Sequence, residues 1–172
     1  MVHPNKDTLL VVTTSYPLSK NGVSGVFVKR LNEALSIYFD VCVICPSSVN
    51  RSEIVVKEAR YAPRSWQVLA QQPGGLPVAL KKNKLLLFII PILLISLFTN
   101  TLLELKNAKY VISHWSLSGV ISGFATLFFN RKSIVVFHGS DAVNLTNSLV
   151  KKYLAWLAIR LNDKSIGVSE EI

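Results

Sequence analysis

The sequence predicts an α/β domain: a Rossmann-like parallel sheet with helices on both faces. Three observations carry that prediction. Short apolar runs rich in β-branched residues alternate with helix-period segments, the order that builds strand–crossover–strand units and a parallel sheet. Several runs are apolar at every position, as strands buried on both faces are. Three of them also stop on polar or aromatic groups, most abruptly Ile134-Val-Val-Phe-His-Gly-Ser-Asp141, so polar side chains gather at the carboxyl edge where open α/β sheets take ligands.

The first strand is Thr8–Thr14, uninterrupted in apolar character and therefore central. It breaks into Ser15–Gly25, a loop of turn formers. A helix follows with Phe27, Leu31, Ala34, Leu35 and Tyr38 on one expected apolar face. Asp40–Pro46 is the second strand, and Ile54–Tyr61 a further one after an irregular stretch. Gln72–Pro77 is a turn-rich link. Leu85–Phe98 then runs on without charge to Leu103, a length that suits a membrane span. A span, however, would separate the first two strands from the strand ending at His138, which share a sheet. A helix buried on the sheet, or one lying in a membrane interface, avoids that conflict and is preferred. Tyr110–Trp115 is a strand, and Gly119–Asn130 a helix with Val120, Phe124, Leu127 and Phe128 as its apolar face. Ser133–His138 is a strand, Leu149–Asn162 a helix and Lys164–Val168 a last short strand. Ser169–Ile172 reads as a helix start with Ser169 as its cap.

Composition narrows the classes. The chain has 172 residues, enough for one α/β domain with a real core, and half of them are hydrophobic, which excludes disorder. Nineteen Lys and Arg against ten Asp and Glu give a net charge of +9. The excess is concentrated: residues 64–109 hold Arg64, Lys81, Lys82, Lys84, Lys106 and Lys109 against Glu104 alone, beside the greasiest stretch of the chain. Charge beside apolar surface points to an anionic membrane, whereas a nucleic-acid site would interleave basic residues with exposed aromatics. The N-terminus lacks the layout of a secretion signal. Cys42 and Cys45 have CxxC spacing but lie on a strand, where residues three apart face opposite sides, so two buried thiols are expected rather than a redox pair or a zinc site.

The polar strand ends are Thr14-Ser15, His114-Trp115 and His138-Gly-Ser-Asp141. The first loop adds Gly22 and Gly25 ahead of a helix N-terminus. Those glycines either allow close approach of a phosphate or simply make the turn. His114 is either a site residue or an edge histidine donating to a backbone carbonyl. Asp141 either contacts a sugar or caps its own turn. His138 is the foremost functional candidate, since an imidazole at a strand tip can donate or accept near neutral pH. The pattern matches neither GxGxxG nor the P-loop, and there is no GxSxG elbow, nucleophile–base pair or metal cluster.

Taken together, Ser15–Leu35, His114-Trp115, Val136–Asp141 and the closing Gly167-Val-Ser-Glu-Glu171 resemble the N-terminal, acceptor-side half of family 4 glycosyltransferases, which have the GT-B fold. Arg60–Trp66 and the apolar, basic-flanked segment at about 81–105 look like the acceptor-side insert of bacterial members. The likeness covers nearly all of residues 1–172. It implies retaining hexosyl transfer from a nucleotide-sugar to a glycan or lipid-linked acceptor, without a metal or other cofactor. By position it implies that Gly22, Ser24 and Gly25 approach the donor phosphates and that His138 and Asp141 serve the reacting sugar. Ser15, Tyr16, His114, Trp115 and Ser140 would line the cleft, and Lys81, Lys82, Lys84, Leu85 and Phe88 would meet the inner face of the plasma membrane from the cytoplasm. The donor-binding half of the family is not in these residues, so a separate donor-domain subunit is an expected partner, nucleic acid is not, and activity from this half alone is expected to be negligible. The alternative is a non-catalytic membrane-docking or regulatory module, or a decaying gene fragment, that kept the fold.

Overall fold

A computed structural model describes residues 6–17, 24–46, 57–61, 75–142 and 148–168. The elements are β1 (Thr8–Thr13), α1 (Val26–Leu35), β2 (Asp40–Pro46), β3 (Lys57–Tyr61) and α2 (Gly75–Lys82). A 3-10 helix (Lys84–Phe88) leads into α3 (Ile90–Leu105), then β4 (Tyr110–His114), α4 (Ser116–Thr126) and β5 (Lys132–Phe137). The single turn α5 (Gly139–Ala142), α6 (Leu149–Leu161) and β6 (Lys164–Gly167) follow. The six strands form one sheet in the order β3-β2-β1-β4-β5-β6, every neighbour parallel.

The unbroken apolar character of β1 follows from its place at the centre. Leu9 and Val11 pack on one face with Val28, Val41 and Val43, under α1. Leu10 and Val12 pack on the other with Ile44, Leu93, Leu97 and Val111, under α3 and α4. Cys42 and Cys45 fall in these two opposite clusters, both buried and not joined by a disulfide, as strand geometry requires. α6 packs along α4, and Ala158 meets Val135 and Phe137 on the α3 side of the sheet.

By length and composition Lys84–Leu105 could cross a membrane. One stripe of it covers the sheet. Leu93, Leu97, Thr101 and Leu105 form an i, i+4 stripe, 0–1% exposed, on the sheet. Thr101 satisfies its hydroxyl locally by donating to the Leu97 carbonyl, 2.7 Å away. The other side of the same helix leaves Ile92, Ile95 and Leu103 exposed.

Two expected apolar faces are corrected. In α1 the residues turned to the sheet are Val28 and Asn32, with Leu35 half-buried against them as expected, while Phe27 and Leu31, and Tyr38 just beyond the helix, are exposed. In α4, which begins at Ser116 rather than Gly119, Val120 packs beside Ala158 as expected, but Phe124, Leu127 and Phe128 are exposed, and the buried residues are Ile121, Ala125 and Thr126 with Ser118, Gly119, Ser122 and Gly123. The reason is distance. A Cβ on Gly119 would sit 2.6 Å from Val135 Cγ2, and one on Gly123 would sit 2.5 Å from Leu161 Cβ. Close helix–sheet and helix–helix approach therefore selects small residues over large apolar ones. Asn162 reinforces the α4–α6 contact by donating to the carbonyls of Gly119 at 2.9 Å and Ala158 at 2.7 Å. The expected strand at Ile54–Tyr61 is present as Lys57–Tyr61, part of the expected link at 72–77 opens α2, and residues 54–56 and 169–172 lie outside the described residues.

Asn32 is the anomaly of the core. It is fully buried in α1, and among the described residues neither its amide nitrogen nor its oxygen finds a hydrogen-bond partner. An unpaired buried amide costs roughly 1–3 kcal/mol, so Asn32→Leu is expected to raise the urea midpoint by an amount equivalent to at least about 1 kcal/mol. An unchanged or lower midpoint would show that this amide is satisfied.

Candidate functional site

The sheet order reverses between β1 and β4: the chain winds from β1 outward through β2 and β3, then returns to the other side of β1. A crevice at the carboxyl ends of the two strands flanking such a reversal is the ligand position of open α/β sheets. Here those ends carry Thr13 and His114, which are register partners, and β5 brings His138 beside them.

Gly25 shapes the first wall. It caps α1 in a left-handed conformation, φ 68°, and a Cβ there would lie 2.4 Å from the Ser15 carbonyl oxygen. Glycine is thus required twice, by its backbone angle and by the approach of the Ser15 chain. The two segments are pinned by a hydroxyl–hydroxyl hydrogen bond between Ser15 and Ser24, while the Thr13 hydroxyl donates to the Ser15 carbonyl at 2.9 Å. The first intrahelical bond of α1 runs from Lys29 N–H to Gly25 O, and the cap makes no side-chain bond. The amides ahead of Lys29 therefore face the edge with the positive end of the helix dipole.

His114 and His138 form the second wall. Their rings are 5.2 Å apart between centroids, with Nδ1 of His114 3.0 Å from Nε2 of His138. His114 is 1% exposed and its Nε2 has no partner among the described residues. Burial, with His138 adding a smaller repulsion, pushes its pKa down to about 3, so the ring is neutral. We assign the shared proton to His114 Nδ1, donating to His138 Nε2, because the reverse tautomer would strand a buried N–H at His114 Nε2. The remaining ring proton of His138 is then on Nδ1. Burial also lowers the His138 pKa, opposed in part by Asp141. At neutral pH His138 is a hydrogen-bond donor rather than a cation.

Asp141 organises this wall from behind. One carboxylate oxygen accepts from the His138 backbone N–H at 3.1 Å, and the other accepts from Ser116 N–H at 3.2 Å and Ser116 hydroxyl at 2.9 Å. It therefore ties the tip of β5 to the first turn of α4, and it acts on His138 both through this backbone bond and through its charge. Between β4 and α4 stands Trp115, with φ 68° and ψ 154°, a region essentially reserved for glycine. The strained backbone aims the indole at His138, centroid distance 4.8 Å, while Phe27 closes the third side at 4.6 Å.

No protein-family model matches the chain, and no curated protein matches it. Among solved structures, a protein assigned as a UDP-N-acetylglucosamine 2-epimerase from Listeria monocytogenes superposes over 96% of this chain, with a TM-score of 0.53 and 11% identity. This chain spans 40% of that protein's length. The fold is one half of a GT-B structure. A sucrose-phosphate synthase structure from Thermosynechococcus elongatus gives a TM-score of 0.49 at 13% identity, covering 94% of this chain and 88% of that one.

Placed in this GT-B half, the expected site residues divide. Ser15, Ser24, Gly25, His114, Trp115, His138 and Asp141 come together at the strand reversal. Tyr16 does not: it is 3% exposed and packs in the core with Leu9 and Val28. His114 is buried as an edge histidine would be, but its partner is an imidazole and not a carbonyl. The backbone of Ser140 belongs to α5, and Gly22 lies outside the described residues. Lys81, Lys82, Lys84, Leu85 and Phe88 are on α2 and the 3-10 helix, with the Leu85 and Phe88 side chains 70% and 79% exposed. Two participants escaped the sequence. Phe27 was assigned to the helix core by its spacing, and Ser116 carried no signal beyond following a strand tip.

Proposed function

We propose that this chain is the acceptor-side half of a family 4-type retaining glycosyltransferase, transferring a hexosyl group from a nucleotide-sugar to a glycan or lipid-linked acceptor. The observation that carries the reading is the neutral His114–His138 pair set at the strand reversal beside the N-terminus of α1, which no side chain caps among the described residues. The amides of that N-terminus suit a donor phosphate, and an Nδ1–H donor on His138 suits a sugar oxygen. His138 would touch the sugar. Asp141, His114 and Trp115 would position it. The resemblance implies no metal, and the site residues named here act as hydrogen-bond donors and acceptors. Transfer needs a donor-binding half opposite this wall, because stabilising the leaving phosphate is usually the largest catalytic term. A cytoplasmic location at the inner membrane face fits the lysine-flanked apolar helix.

Titration of the isotopically labelled chain with UDP-hexoses and GDP-hexoses, followed by NMR, tests this. Shifts are expected at Ser15, Ser24–Phe27, Trp115 and His138. His138→Ala should weaken binding roughly ten-fold, the worth of one hydrogen bond. Shifts confined to other parts of the chain would sink the proposal. The 172-residue chain alone is expected to turn over none of these donors, and measurable release of nucleoside diphosphate would contradict the need for a second half.

A further inference from the structure

The apolar stripe of α1 lies outside the core, and its direction is informative. Phe27, Leu31 and Ala34 recur at i, i+4 and i+7, and all three are exposed. They sit about a quarter-turn round the helix from Val28 and Asn32, which face the sheet, so the stripe looks sideways across it. Phe27 fixes which way. Its ring centroid lies 4.6 Å from that of His138 and 5.7 Å from that of Trp115, so the stripe is turned toward β4 and β5.

On that side the sheet continues past the helix. Strand alternation puts Ile112, Ile134, Val136 and Ile166 on the face that carries α1, together with His114 and His138. Cover thins with distance from α1. In the register row Val11, Ile112, Ile134, the first is fully buried and the next two are half-buried. In the row His114, Val136, Ile166, exposure rises from 1% through 7% to 47%. Among the described residues, the apolar clusters give this face α1 and the opposite face α3, α4 and α6. The result is a step with an apolar wall, Phe27 and Leu31, and an apolar floor, Ile112, Ile134 and Ile166. Lys164, the register partner of Ile134, stands at its outer rim. The step runs about 10 Å along α1, and His138 is at its upper end.

Single exposed apolar residues are ordinary, but a contiguous strip that ends on a polar site marks a binding surface. We propose that the step holds the hydrocarbon chain of the acceptor, so that the acceptor is lipid-linked and its hydroxyl end meets His138. This rests on the glycosyl-transfer reading and narrows its acceptor class. Continuity assigns the occupant: Phe27 belongs both to the wall and to the ring cluster around His138. A molecule lying along the wall therefore presents a polar end to the imidazole and an unbroken apolar body to the step. None of the five wall and floor side chains can hydrogen-bond, as the successive rings of a glycan would require.

Alkyl glucosides, kept below their micelle concentrations, test this on the full chain with labelled Ile and Leu methyl groups. Octyl glucoside is expected to shift Leu31, Ile112, Ile134 and Ile166, and methyl glucoside is not. Affinity should climb from butyl to octyl glucoside by up to about fourfold per methylene. Leu31→Ser, at an exposed position, should lower octyl glucoside affinity roughly tenfold, while far-UV circular dichroism and UDP-hexose binding match the parent. Affinity independent of chain length, shifts confined to α3 or α6, or a Leu31→Ser variant that binds like the parent would each overturn the proposal. Shielding of Leu31 and Ile166 that grows with protein concentration, without glucoside, would give the step to a second copy of the chain and overturn it too. UDP-hexose shifts with none from octyl glucoside would sink this inference alone. Octyl glucoside shifts along the step with none from UDP-hexoses or GDP-hexoses would uphold the step as an alkyl site and remove the transfer reading instead.

Discussion

Gly25→Val is expected to destabilise the protein by roughly 2–5 kcal/mol. The left-handed backbone angle costs an L-residue about 1–2 kcal/mol, and forcing a side chain into filled space typically adds about 1–3 kcal/mol. The obstacle here is a main-chain carbonyl, that of Ser15, which cannot rotate away as a side chain tip could. Its displacement would break the Ser15–Ser24 bond and open the wall that holds the N-terminus of α1 against β1. Gly139→Ala is the control, since an added Cβ there meets nothing within 4 Å. Urea unfolding of the two variants should separate them clearly. Equal midpoints would mean that the Gly25 turn is not tight.

Acidification is the second large effect. His114 is held neutral with a pKa of about 3 in the folded chain, whereas it titrates near 6.5 when unfolded. The unfolded chain thus binds more protons between those values, and stability rises with pH across that window. It is complete above about pH 6.5 and falls as the pH drops toward 3. At pH 5 the loss from this one residue is about 2 kcal/mol, and His138, shifted in the same direction, adds to it. Denaturant midpoints at pH 7 and pH 5 should differ accordingly in the parent. His114→Asn should flatten the difference, and a variant with the parent's pH slope would place the effect elsewhere.

How much of this was legible beforehand depends on what each signal measures. The strands were readable because a sheet buried on both faces demands apolar residues at most positions, and β1 and β2 are unbroken over Leu9–Val12 and Val41–Cys45. The helix faces were not. Periodicity finds the large apolar residues, but α4 lies so close to β5 and α6 that glycines stand where it meets them, and Phe27 leaves the core of α1 to lean on His138. The tips of β1, β4 and β5 could be placed on one edge from topology alone. That His114 would pair with His138, and that Asp141 would reach Ser116, depended on register between strands separated by more than twenty residues. The strained Trp115 left no mark at all, because nothing in a sequence shows that a tryptophan will occupy a glycine conformation.

The strand order has a consequence for how this chain comes to exist. β1 is made early, yet its second neighbour, β4, is about a hundred residues away in sequence. At ribosomal speeds of about 5–20 residues per second, one flank of the most apolar strand waits for several seconds with no strand beside it. During that interval the most hydrophobic helix of the protein emerges, also without its sheet. The two exposed partners that will later bury one another are, for that time, the chain's chief liability for aggregation. Pairing with β4 ends that exposure, so the yield of folding should depend on how quickly β4 joins β1 and α3 closes over them.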